Sequence, residues 1–156
     1  MRSRREPMTP YQERLGRFTV QFMTGYNNVM YRLSKGRVAG TSPTGAPICL
    51  LTTTGRRTGR RRTVPLLYLP DGENFVVVAS KGGMSTHPAW YLNLSADPNA
   101  VVESHGRTFL AVARAATDEE RARMWPQLVA VYGHFESYQL RTTRQIPMVV
   151  LIPQPC

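Results

Sequence analysis

Short runs of β-branched and apolar residues, joined largely by hairpin signals, restrict the folds open to this chain more than any other feature. Six such runs occur, at residues 48–54, 63–69, 75–80, 100–104, 108–115 and 148–152. Asp71-Gly72 separates two of them and His105-Gly106-Arg107 the next pair, and both are turn sequences that tolerate positive φ. Most neighbouring strands are therefore expected to pair antiparallel. Helical patterns interrupt twice. One covers residues 88–96 and ends before Asp97-Pro98. The other opens at the capping box Thr117-Asp-Glu-Glu120 and runs through Met124, Trp125, Leu128 and Val131, with Pro126 expected to kink or restart it. This order lacks the regular strand–helix alternation of a dinucleotide fold. It predicts a mostly β (α+β) domain, a six-stranded antiparallel barrel with peripheral helices.

The first two strands flank Leu51-Thr-Thr-Thr-Gly-Arg-Arg-Thr-Gly-Arg-Arg-Arg-Thr63, which holds five arginines between Arg56 and Arg62. Gly55 and Gly59 suit the bends of a short connection, so the arginines should sit on a hairpin tip. A guanidinium offers a planar fork of donors matched to phosphate or carboxylate, which makes the tip an anion clamp or, more plainly, a solvated basic turn. A second candidate is Val78-Ala-Ser-Lys-Gly-Gly-Met-Ser-Thr-His-Pro-Ala-Trp90. Here a strand ends at Ser80 and the Lys81-Gly82-Gly83 loop should leave backbone N–H groups free. Ser85, Thr86 or His87 is then expected to cap a helix whose first turn holds Pro88. A tight turn with an ordinary cap is the alternative.

Familiar catalytic sets are missing. His87, His105 and His134 lack metal-ligand spacing, no carboxylate pair stands out among ten acidic residues, and there is no GxSxG or Walker loop. Chemistry would then come from a bound cofactor. Tyr132, Phe135 and Tyr138, spaced by three, should share one side of a late helix.

The 156 residues, 42% hydrophobic, suit a single core. The formal net charge of +10 asks for an acidic partner: nucleic acid, an anionic membrane or a phosphorylated cofactor. Cys49 and Cys156 form no disulfide framework or metal pattern, which suits a reducing cytoplasm. Residues 1–40 read as an amphipathic helix and linker ahead of a barrel domain at 41–156. Leu15, Phe18, Phe22, Tyr26, Val29 and Leu33 form its apolar stripe, flanked by Arg14, Arg17 and Arg32. No run reaches membrane-spanning length, so membrane contact would be peripheral, at the inner face of the cell membrane. A nucleic-acid platform is disfavoured, because basic and aromatic residues are not interleaved and no recognition-helix motif occurs.

From Leu50 to Ile152 the chain resembles the deazaflavin-dependent nitroreductase family of actinobacteria. The resemblance rests on Leu51-Thr-Thr-Thr-Gly-Arg-Arg-Thr-Gly59, Arg62, Pro65-Leu66, Ala79-Ser-Lys-Gly-Gly83, His87-Pro88, Trp90-Tyr-Leu-Asn-Leu94, Asn99, Ala116-Thr-Asp-Glu-Glu-Arg121, Trp125-Pro-Gln-Leu128, Tyr138-Gln139 and Arg144-Gln-Ile-Pro147. It implies a split β-barrel of the FMN-binding-protein type that binds coenzyme F420, a deazaflavin with a phosphodiester and an oligoglutamate tail. It also implies reduction of quinones such as menaquinone, or of nitro compounds. Carried over, Arg56, Arg57 and Arg62 would hold the phosphate and tail carboxylates. Val64, Pro65 and Leu67 would border the deazaflavin, and Ser80, Lys81, Gly82 and Gly83 would line its other edge, with Trp90 and Asn93 supporting that loop. Ser80, Tyr132 and Tyr138 are the candidate proton donors. Leu67 and Phe135 stand where the prodrug-activating member has tyrosine, and Arg57 where a lysine is usual. The rivals are an F420-binding protein without catalysis and an FMN-dependent oxidoreductase on the same barrel.

Overall fold

The computed structural model describes residues 45–155. The helix and linker expected over residues 1–40, and Cys156, lie outside the described residues.

Among the described residues, seven strands form one sheet in the order β2-β1-β5-β6-β7-β4-β3. They are β1 Ile48–Thr54, β2 Arg61–Leu67, β3 Leu69–Asp71, β4 Asn74–Val78, β5 Asn99–Ser104, β6 Arg107–Ala115 and β7 Met148–Pro153. Every pairing is antiparallel. The seventh strand arises because the run read as 63–69 is divided at Tyr68. This residue is buried, its amide donates to Pro47 O at 3.1 Å, and its hydroxyl meets Ser104 Oγ at 3.1 Å. Its ring packs on Phe75, which packs in turn on Phe109. β2 and β3 occupy opposite ends of the hydrogen-bonded order yet are joined through this one residue. The sheet must therefore curl until its two ends meet, which makes it a split β-barrel.

Strand alternation builds two cores. Val77, Ala79, Val149 and Leu151 join Cys49, Leu51, Val102 and Trp90 in one cluster, the barrel interior. The intervening Val76, Val78, Met148 and Val150 pack with Met124, Leu128, Phe135 and Ile146 in the other. Both faces of β4 and β7 are thus buried, and for this reason their sequences are continuously apolar rather than alternating. The second face is covered by α2 (Asp118–Val131) and α3 (His134–Leu140).

The capping box is formed: the Thr117 hydroxyl accepts from the Glu120 amide, and the Glu120 carboxylate accepts from the Thr117 amide. Pro126 does not break the helix. Met124 and Leu128 on either side of it are both buried, and that packing holds α2 continuous. The break falls at Tyr132-Gly133. Tyr132 caps the end of α2 while Phe135 and Tyr138 belong to α3, so the three aromatics do not share a helix as expected from their spacing. α1 covers Ala89–Ala96 with Pro88 at its N-cap and no side-chain cap, so Ser85, Thr86 and His87 do not play that part.

Candidate functional site

The register gathers both candidate loops. Thr54 lies opposite Arg61, Thr52 opposite Val101, Asn99 opposite Val112, Ala115 opposite Val149 and Val78 opposite Met148. The arginine hairpin leaving β1 and the Ser80 turn leaving β4 therefore emerge at the same end of the barrel.

At the hairpin, the Gly55 amide donates to Arg60 O at 2.7 Å and the Gly59 amide to Gly55 O at 2.8 Å. A Cβ on Gly55 would lie 2.9 Å from Thr58 Oγ1 and 3.0 Å from Arg60 O, so a side chain there would crowd the closed tip. Arg56, Arg57, Arg60, Arg61 and Arg62 are exposed. Both ion pairs among the described residues, Arg114–Glu120 and Arg123–Asp71, lie elsewhere. Asn93 of α1 secures the tip from below. Its Oδ1 accepts from the Arg56 amide at 3.1 Å, and its Nδ2 donates to Thr53 Oγ1 at 3.1 Å. Asn93 and Thr53 are both buried, so neither could lose its partner cheaply. Asn93 thus supports the arginine hairpin rather than the Ser80 loop, and Trp90 is a core residue of the barrel interior.

Along β2 the alternation separates the three residues expected to border a ring. Val64 packs with the barrel interior and Leu67 with the outer cluster. Pro65 is on the same side as Leu67, since side chains two apart share a face. Pro65 is accommodated because β2 ends the sheet order, where a missing N–H costs no ladder bond.

The Ser80 turn has an unusual backbone. Lys81, Gly82 and Gly83 all have positive φ, at 45°, 64° and 80°. Its amides are not all free as expected: Gly83 N–H donates to Ser80 O at 2.9 Å and Met84 N–H to Lys81 O at 3.2 Å. Lys81 Nζ donates to Thr86 Oγ1 at 3.0 Å. A Cβ on Gly82 would have nothing within 4 Å, whereas one on Gly83 would lie 2.7 Å from Tyr138 O and 2.9 Å from Tyr138 Cα. The turn is therefore open on its Gly82 side and sealed by α3 on its Gly83 side.

That contact brings the aromatics to the turn. Tyr132 and Tyr138 place their hydroxyls 3.1 Å apart, and both are half-buried. Burial, reinforced by the bond to Tyr132, pushes the Tyr138 phenol up to about 12. His134 stacks on Tyr138, with ring centroids 6.1 Å apart. Phe135 is buried in the outer core.

Sequence reasoning assigned no role to Arg144, which the structure places beneath the turn. Its guanidinium reaches Met84 O, Ala79 O, Ser80 O and His87 Nδ1. The resemblance includes it in Arg144-Gln-Ile-Pro147, but within a loop no periodicity assigns it a role. Among the described residues, no group of three or more His, Cys, Asp or Glu side chains could hold a metal ion.

An antiparallel split barrel bearing a guanidinium-rich hairpin and a left-handed glycine turn at one end is a small barrel with a cationic rim. More particularly, the chain belongs to the F420H(2)-dependent quinone reductase family, whose match spans residues 24–153. It is 38% identical over 129 residues to an F420H(2)-dependent quinone reductase of Mycobacterium tuberculosis, a match covering 80% of this chain and 86% of that protein. Among solved structures it resembles an F420-H2 dependent reductase, FDR-A, at 38% identity and a TM-score of 0.62, over 67% of this chain and 93% of that one. A chain described as a domain-swapped dimer is similar at 33% identity and a TM-score of 0.62, over 80% of this chain and 98% of that one.

Proposed function

We propose that this chain is an F420H2-dependent oxidoreductase acting on quinones, with its cofactor held between the arginine hairpin and the Ser80 turn. The observation that carries this is the hairpin. Its guanidiniums are exposed and paired with no carboxylate among the described residues, and Asn93 holds the backbone of the tip from below, at the same barrel end as the turn. The open space above Gly82 suits the close approach of a flat ring system.

Arg56, Arg57 and Arg62 bind the phosphate and tail carboxylates, and Ser80 through Gly83 with the Pro65 and Leu67 face of β2 form the ring's borders. Trp90 and Asn93 act from beneath, through the core and the hairpin. Reduced deazaflavin, when bound, supplies a hydride. A quinone needs one proton besides that hydride to become a hydroquinone, so the chain's task is to hold the acceptor and keep a proton at hand. Ser80, Tyr132 and Tyr138 are the groups for this. With the Tyr138 phenol pushed up to about 12, its proton stays in place throughout the neutral range, available to hydrogen-bond the developing negative charge. Nitro compounds are the second acceptor class. Peripheral membrane contact through the N-terminal stripe would bring the domain to lipid-borne quinones, and no helix among the described residues is long and apolar enough to cross a membrane.

Fluorescence titration with F420 tests the clamp. Arg57→Ala and Arg62→Ala should each weaken binding about tenfold or more, with a shallower salt dependence, as loss of a charge-assisted bond requires. Unchanged affinity in both variants would remove the clamp assignment. A parallel titration with FMN separates the flavin rival, and repeated turnover of menadione separates a reductase from a carrier, which bleaches only stoichiometrically. Tyr138→Phe and Tyr132→Phe should lower kcat while sparing F420 affinity. A wild-type rate in the double variant would leave Ser80 or solvent as the proton source.

A further inference from the structure

We infer that Arg144 is the positioning residue of the cofactor site, a brace that fixes the turn from Ala79 to Met84 by donating to its carbonyls, with neutral His87 as a further acceptor. The inference rests on the proposed site in that this turn borders the cofactor. The geometry itself does not depend on it.

Nε of Arg144 donates to Met84 O at 2.9 Å, Nη2 to Ser80 O at 2.9 Å and Ala79 O at 3.3 Å, and Nη1 to Ala79 O at 3.3 Å and His87 Nδ1 at 3.2 Å. The carbonyls of Ala79, Ser80 and Met84 enclose the three residues with positive φ. Such a backbone persists only where its surroundings over-determine it. Within the turn, Gly83 N–H donates to Ser80 O and Met84 N–H to Lys81 O, and the planar fork of Arg144 adds a constraint from outside it.

Arginine has donors only, so the Nδ1 that meets it must be the unprotonated nitrogen, and the His87 proton lies on Nε2. Protonated His87 would instead set an N–H against a guanidinium 3.2 Å away. The other groups around His87 are Tyr91, whose ring centroid lies 4.8 Å from its own, and Asp118 and Arg121, which line the same cleft of about 270 Å3. Burial first, and then the Arg144 charge, hold His87 below its usual 6.5. Since the folded state disfavours the proton, the contribution of His87 to the brace is fully present above about 6.5 and is lost as the pH falls through the lower folded value, while the carbonyl contacts remain.

Amide hydrogen exchange on the cofactor-free full chain reads this directly. In Arg144→Gln, the Gly83 and Met84 amides should exchange about tenfold or more faster, while those of Val150 and Leu151 in the core stay protected. Affinity for F420 should fall by a similar factor, and Arg144→Lys should recover little, because one ammonium cannot reproduce the fork. In the wild type the Gly83 and Met84 amides should also loosen at low pH, after correction for the intrinsic rate, but they should not in His87→Gln. Unchanged protection of those two amides in Arg144→Gln, or loss spread equally over the sheet, overturns the inference. If Arg144→Gln does not fold, the His87→Gln comparison decides, and identical pH profiles overturn it. Failure of the wild type to bind F420 would remove the site reading while leaving the exchange result to judge the brace.

Discussion

Gly82 and Gly83 share a backbone handedness but differ in what surrounds them, and that difference separates fold from function at single-residue resolution. Gly83→Ala would drive a methyl against the Tyr138 backbone, which cannot swing aside as a side-chain tip can. Together with its positive φ this should cost about 2 to 4 kcal/mol in urea unfolding. Gly82→Ala meets nothing within 4 Å. It should cost only about 1 kcal/mol, the ordinary price of a left-handed alanine, yet weaken F420 binding by filling the space above the turn. Equal destabilisation of the two variants would show that α3 does not seal the turn. At this scale the sequence was readable where chemistry is local. The Gly-Gly pair marked a turn, but the contact of Gly83 with Tyr138 joins residues 55 positions apart and left no local trace.

Among the elements, α2 shows what local signals carry. The capping box was legible because its two bonds lie within four residues. Arg114 adds to it from β6, donating Nη1 and Nη2 to the two Glu120 oxygens at 2.7 Å. That pair, with the Thr117 amide, holds the Glu120 carboxyl down to about 2 from its ordinary 4.5. A depressed carboxyl pKa contributes stability that is fully present above about 4.5 and is lost as the pH falls toward 2. Glu120→Gln keeps the capping oxygen and removes the charge. The thermal midpoints of wild type and variant should therefore converge across that window, and a constant gap would assign the variant's deficit to something other than this charge. The division of β2 from β3 was not legible, nor was the separation of Tyr132 from the helix that holds Phe135 and Tyr138, although the run through Val131 matches the end of α2. The first is decided by burial of Tyr68 against distant strands, whereas the second carries a local stop in Gly133, which the three-residue spacing of Tyr132, Phe135 and Tyr138 masked. The arginine hairpin was placed correctly from its glycines and flanking strands, whereas Asn93, expected to support the Ser80 loop, lies 37 residues from Arg56 and its bond to the hairpin emerged only with the fold.

For the whole molecule, Cys49 offers a reporter. It is fully buried in the barrel interior, and burial raises its thiol to about 12. In a Cys156→Ser protein it should resist thiol reagents at neutral pH until the barrel opens, so its labelling rate should follow global unfolding in denaturant. Labelling that outpaces loss of the circular dichroism signal would mean that β1 detaches before the rest. The barrel class was legible from the order of strands and hairpin turns. The closure was not, since it depends on Tyr68 joining the two ends of the sheet.

β7 is the last of the seven strands in sequence, yet it sits inside the sheet, between β6 and β4. During synthesis the hairpins β1–β2, β3–β4 and β5–β6 can form as each is completed, but nothing joins β4 to β6 until residues 148–153 leave the ribosome. A nascent chain stalled before Met148 therefore carries two open strand edges and an uncovered apolar layer, a form apt to recruit chaperones or aggregate. Release of the final strand, rather than of the cofactor loops, is then the event that commits the chain to its native state.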